Sequence, residues 1–166
     1  NIQKSYEILY NISGLTKAEQ NILEAFSVFP YIPLSAEICN QWLLMDAGVS
    51  EEEDTLAELY EKGWLQFDIE QESYTLHPVF AQFIYEKYKP NIERHKGLIE
   101  ACQRSIEIPE TGFALECQKY IPFAENILEK IVIEKNEKQV KFIGSLACLY
   151  CYMAEYSKAE ELYERI

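Results

Sequence analysis

Apolar residues recur with helical spacing from Leu15 through Ile22, Phe26 and Phe29, until Pro30 interrupts the pattern. Thr16 precedes Glu19 by three residues, the spacing at which a hydroxyl and a carboxylate cap each other's backbone N–H groups, so a helix is expected to begin there. A second helix is expected from Ser35, with Ile38, Cys39, Trp42 and Leu43 turned inward and Gly48 placed to end it. Ser50 and Glu53 repeat the capping spacing ahead of a third, in which Leu56, Leu59 and Tyr60 form the buried edge and Gly63 is the stop. The period then falls to two. Leu65, Phe67 and Ile69 alternate with polar neighbours, Glu70-Gln71-Glu72-Ser73 makes a polar break, and Tyr74 and Leu76 alternate again, which predicts a β-hairpin. Pro78 suits the first turn of a following helix with Val79, Phe80, Phe83 and Ile84 on its apolar face, and Pro90 closes it.

After Pro90 the pattern is helical throughout. Leu98, Ile99, Cys102 and Ile106 share one face, and Ile127, Leu128, Ile131 and Val132 share another on a segment beginning near Pro122. Two more helices are expected at about 138 to 153 and 156 to 166. The breaks Pro109-Glu110-Thr111-Gly112 and Asn136-Glu137 are short, as antiparallel helix hairpins require.

The fold class expected is mainly α. Three helices, a hairpin and a fourth helix describe a winged helix over residues 1–90; an adapting helical hairpin follows over 91–136, and a tetratricopeptide-like array begins over 137–166. Leu146, Ala147, Tyr150, Ala154, Tyr156, Ala159 and Tyr163 fall where such repeats place a large apolar residue, a small one, Tyr, a small turn residue, Tyr, the signature Ala and an aromatic. Small residues at 147 and 159 let two helices approach, with tyrosines filling the gaps between them. Ile143 stands where Trp is usual, and Ala154 and Ile166 where Gly and Ala are usual. One repeat buries its apolar face only against neighbours, so more repeats are expected beyond Ile166. Asn1 is not an initiator Met, and the chain is expected to be a piece of a longer protein.

Composition narrows the function classes. With 166 residues, 48% hydrophobic and 13% aromatic, a packed core is expected rather than disorder. The apolar runs fall far short of the roughly 20 residues that span a bilayer, so no membrane partner is expected. The net charge of −13 opposes a phosphate backbone, and nucleic acid is not expected as a partner. Within the segment Ser50 to Lys62, which a winged helix would present to a DNA groove, six acidic residues accompany one Lys. Five cysteines, odd in number and unevenly spaced, fit free thiols and a cytoplasmic location.

Across residues 5–88 an ordered set stands out: Ser5-Tyr6-Glu7-Ile8-Leu9, Phe26-Ser27-Val28-Phe29-Pro30, Trp42, Leu56-Ala57-Glu58-Leu59 with Gly63-Trp64-Leu65, and Tyr74-Thr75-Leu76-His77. Together they resemble the winged-helix region that follows the nucleotide-binding core in NB-ARC proteins, the STAND-class signal-transducing ATPases. The resemblance implies a winged helix packed on a nucleotide-binding domain of the same parent protein. It also implies a His at the Leu76-His77 position that reaches the phosphates of bound ADP and holds a closed state. Pro78 follows that His where the family often has Asp. Members with C-terminal tetratricopeptide repeats use them to sense a protein partner or ligand. The chain has no G-x-x-x-x-G-K-[ST] stretch, so this piece is not expected to be an enzyme or to hold a cofactor itself; ADP or ATP with Mg would belong to the parent.

His77 therefore has two readings, the phosphate contact or a polar residue at a strand-to-helix junction. Cys148 and Cys151 share a helix face at i and i+3, but no second ligand pair accompanies them, and no metal site is assigned. In the repeat alignment Lys141, Gly144, Cys148, Cys151 and Tyr152 fall on the surface facing the concave groove, where they would line a partner site or simply pack. No catalytic residues are assigned. The leading expectation is a non-catalytic regulatory piece of a signal-transducing ATPase, the winged helix relaying nucleotide state and the repeats binding a protein or ligand. The alternatives are a winged-helix transcriptional regulator with a helical effector domain and a plain tetratricopeptide adaptor.

Overall fold

A computed structural model describes residues 4–5, 14–48, 54–110, 114–131 and 137–166. The chain is mainly helical with a small three-stranded antiparallel sheet, and it divides into two compact units, Asn1–Pro90 and Asn91–Ile166. Among the described residues no helix is long and apolar enough to cross a membrane.

In the first unit, helix α1 (Lys17–Ser27) begins at a reciprocal cap. The Glu19 N–H donates to Thr16 Oγ1 at 3.2 Å and the Thr16 N–H donates to Glu19 Oε2 at 2.6 Å. Ile22 and Phe26 are buried, as is Phe29 just beyond the helix, and Phe29 meets Trp42 edge-on at 6.0 Å. A short strand β1 (Leu34–Ser35) follows. The alternation in sequence does not reveal it, because two residues after Pro33 carry no period. Ser35 then caps α2 (Ala36–Cys39), accepting from the Ile38 N–H. The expected second helix is not one regular rod: Asn40–Leu44 widen into a π-helical turn before α3 (Met45–Ala47). Gly48, at φ +69, stands just past its end.

Helix α4 (Thr55–Glu61) is described from Thr55, with Asp54 at its N-cap; the Ser50 and Glu53 cap lies outside the described residues, as does most of the 5–9 motif. Strands β2 (Leu65–Asp68) and β3 (Ser73–Leu76) form the hairpin, and the sheet order is β1-β3-β2. Phe67 lies opposite Tyr74 with ring centroids 4.6 Å apart, a cross-strand aromatic pair that favours this register. Ile69 departs from the expected alternation. It falls in the turn, where Asp68 Oδ1 accepts from the Glu70 and Gln71 N–H groups, and is 81% exposed. Helix α5 (Pro78–Tyr88) follows, and Trp64 packs on Phe80 at 5.1 Å to fasten it to the hairpin base.

The second unit holds α6 (Lys96–Ile106), α7 (Ala114–Gln118), α8 (Ile121–Lys130), α9 (Glu137–Tyr152) and α10 (Tyr156–Tyr163). Leu98, Ile99, Cys102 and Ile106 are buried along α6, and Ile127 and Leu128 along α8. Residues 91–136 hold more than the hairpin expected there, since α7 stands between its two long helices. Five residues are too few for an apolar stripe, and α7 buries only Cys117. Val132 and Asn136 lie outside the described residues.

Helices α9 and α10 form a close hairpin, and Ala147 and Ala159 are both buried. Ala154, in the turn between them, takes φ +60. Tyr150 is buried, whereas Tyr156 and Tyr163, expected between helices, are 67% and 50% exposed. The cause is that α10 turns one face inward through Ala159 and Leu162, and these tyrosines lie off it.

Candidate functional site

Helix α9 divides its residues cleanly. Phe142, Ile143, Leu146, Ala147, Leu149 and Tyr150 are buried, so the residues between them on the other side of a 3.6-residue turn must face out. Lys141, Gly144, Ser145, Cys148 and Tyr152 occupy that outer side and form one wall of a groove of about 710 Å³. Gln103 from α6 and, after that helix, Glu107, Ile108, Pro109 and Glu110 form the other.

Four of the five groove residues expected from sequence thus come together. Cys151 does not line the groove. It is half-buried, and together with Cys148 it influences Tyr163 of α10, whose phenol is raised chiefly by burial and then by these two thiols. The second wall was not foreseen. Gln103, on the polar side of α6, and Glu107, at its C-cap, are four residues apart, and that spacing is a signal, but Pro109-Glu110 carried only a helix break.

The walls are held together by specific bonds. Gln103 Nε2 donates to Glu107 Oε1 at 2.7 Å, and Ser145 Oγ lies 3.5 Å from the same oxygen and 3.0 Å from the Lys141 carbonyl. Cys117 Sγ donates to the Glu107 carbonyl at 3.5 Å, tying α7 to the end of α6; burial raises its thiol. Lys138 Nζ lies 2.6 Å from Glu100 Oε1, joining α9 to α6, and each group favours the charged form of the other. Lys141 Nζ meets Glu137 Oε1 at 3.0 Å, and this bond holds the Glu137 carboxyl below its ordinary value.

A second cavity, about 670 Å³, lies where α8, α9 and α10 meet, lined in part by Glu125, Glu129, Tyr150, Lys158, Glu161 and Arg165. There the Tyr150 hydroxyl donates to Glu125, and the Lys158 ammonium stands 5.0 Å from the Tyr150 ring centre. Burial, then the Glu125 carboxylate, pushes the Tyr150 phenol well up. The Tyr150 hydroxyl and ring thus engage one carboxylate and one ammonium of this cavity.

His77, in the first unit, is exposed at the N-cap of α5, and its Nδ1 accepts from the Val79 N–H at 3.2 Å. An N–H can only donate, so the tautomer that suits this bond is the one with its proton on Nε2. The Tyr31 and Phe80 rings flank it edge-on at 6.5 and 6.0 Å.

The five thiols are free; Cys39, Cys102 and Cys117 are buried and Cys148 is exposed. Among the described residues no group of three His, Cys, Asp or Glu side chains is disposed to hold a metal ion. The groove offers carboxylates, an ammonium, a hydroxyl, a thiol and a phenol over a concave surface, which suits binding. Comparison of the chain with protein-family models, curated proteins and solved structures finds no match.

Proposed function

We propose that the chain is a non-catalytic regulatory piece of a signal-transducing ATPase of the NB-ARC type, with a winged helix that relays nucleotide state and a tetratricopeptide-like segment that binds a protein partner. The observation that carries the binding half is the groove of about 710 Å³ on which Lys141, Gly144, Cys148 and Tyr152 converge. Concave sites of this size with a few polar groups are where ligands dock. The close approach of α9 and α10 at Ala147 and Ala159 supports the repeat reading, because small residues at those places are what such helix pairs require.

The relay half draws its support from the first unit. Its order of helix, strand, helices, hairpin and helix, with β1 beside β3, is the order a winged helix needs. His77 is exposed, and with Nδ1 occupied its Nε2–H is left to donate to an outside acceptor such as a phosphate oxygen. ADP and Mg would be held by the parent protein's nucleotide domain, and that domain would be the intramolecular partner of this unit.

Two measurements test the proposal. The coding sequence upstream should contain a G-x-x-x-x-G-K-[ST] stretch, whose absence refutes the relay. In the intact parent, His77→Ala should release ADP faster than the unaltered protein; equal retention would refute the role of His77.

A further inference from the structure

We propose that the groove between α6 and α9 takes an extended peptide segment bearing an arginine or lysine, whose cationic head seats against Glu107 and Glu110. The inference rests on the reading of this groove as the partner site and specifies what the partner must carry.

The charge balance within the walls decides the sign. Lys141 is the cation of the groove, and at 3.0 Å from Glu137 it already has a counter-ion on its own helix. The Glu107 carboxylate accepts from Gln103, and the Ser145 hydroxyl stands 3.5 Å from the same oxygen; both groups are neutral and orient it without neutralising it. Glu110 is exposed at the same end. Among the described residues no Lys or Arg pairs with Glu107 or Glu110. A concave surface carrying uncompensated charge of one sign concentrates its field toward the opening, so a cation is drawn in and an anion repelled. A guanidinium can engage a carboxylate through two parallel N–H bonds and is less strongly hydrated than an ammonium, which makes arginine the better fit.

The shape suits an extended chain. From Lys141 to Tyr152 the helix rises about 17 Å, the length of about five residues of extended peptide. Gly144 lies in this wall, and a Cβ built there would meet nothing within 4 Å, so a backbone can lie close to the helix at that point. Beyond it, the Cys148 thiol and the Tyr152 ring offer an apolar seat for a second side chain.

The test uses the whole chain, immobilised, and two labelled random heptapeptide pools, one with arginine fixed at the centre and the other with glutamate. The arginine pool should be retained better by about tenfold at low salt, with the preference shrinking as salt is added. Glu107→Gln with Glu110→Gln should abolish the preference, while Glu116→Gln with Glu160→Gln, which removes equal charge from exposed sites outside the groove, should leave it. Gly144→Gln, a better helix former that puts a neutral side chain into the groove, should lower retention of the arginine pool. Circular dichroism shows that each variant is folded.

A preference unchanged by the Glu107 and Glu110 replacements, or lost equally in the control pair, overturns the proposal. Retention of the glutamate pool in a manner blocked by Gly144→Gln also overturns it, but leaves the groove as a partner site. Failure to retain either pool overturns both.

Discussion

Lys62 Nζ lies 2.6 Å from Glu19 Oε1, so the residue that follows α4 is tied to the first turn of α1. Glu19 is fully buried, while Lys62 remains about one-third exposed. The same Glu19 carboxylate accepts from the Thr16 N–H, and a single side chain therefore caps one helix and anchors another.

Replacing Lys62 by Met should leave a buried carboxylate without its cation and destabilise the first unit by about 1–3 kcal/mol, less than a fully buried pair would cost because Lys62 is partly solvated. Urea denaturation followed by circular dichroism reads this directly. A loss below the error of the fit would show that the Thr16 bond alone holds Glu19.

The pair also sets an acid limit. Burial by itself would raise the Glu19 carboxyl, but the Lys62 ammonium and the Thr16 N–H outweigh it and hold the group below its ordinary 4.5. A depressed carboxyl adds stability that is complete above the unfolded-state value and is lost as pH falls through the lower folded one. Unfolding free energy should therefore fall from about pH 4.5 downward, and Lys62→Met should flatten that slope.

The thiols should separate by reactivity. Burial pushes Cys39 and Cys102 well up and removes them from solvent, whereas Cys148 opens into the groove. In the folded protein a disulfide reagent should label Cys148 first, and Cys39 and Cys102 only on unfolding. Peptide mass mapping at successive times distinguishes them; early labelling of Cys102 would contradict the packing of α6.

Ala147 and Ala159 are buried on two helices, α9 and α10, that pack together. Ala147→Leu should cost about 1–3 kcal/mol through overpacking, a loss to be read from thermal or urea unfolding of the chain. An unchanged midpoint would mean that the helices have room between them.

What could be read from sequence was what repeats over a turn or more. The Thr16 and Glu19 cap and the outward face from Lys141 to Tyr152 have fixed spacings, and both stand in the structure. What could not be read depends on partners distant in sequence or on segments too short to hold a period. Leu34 and Ser35 become a strand because Tyr74 and Ser73 lie beside them. Asn40–Leu44 widen by one residue per turn without any Pro or Gly to announce it. Glu107 belongs to the groove through Ser145, 38 residues away. Ile69 looked like a strand residue because alternation alone cannot say where the turn begins.

Ala154 gives the α9–α10 hairpin a character its helices do not show. At φ +60 its methyl group crowds the backbone, a conformation that costs an L-residue about 1 kcal/mol and glycine almost nothing. The packing of α9 on α10 therefore holds Ala154 in a conformation that its own side chain does not favour. Ala154→Gly would relieve that cost without touching either helix.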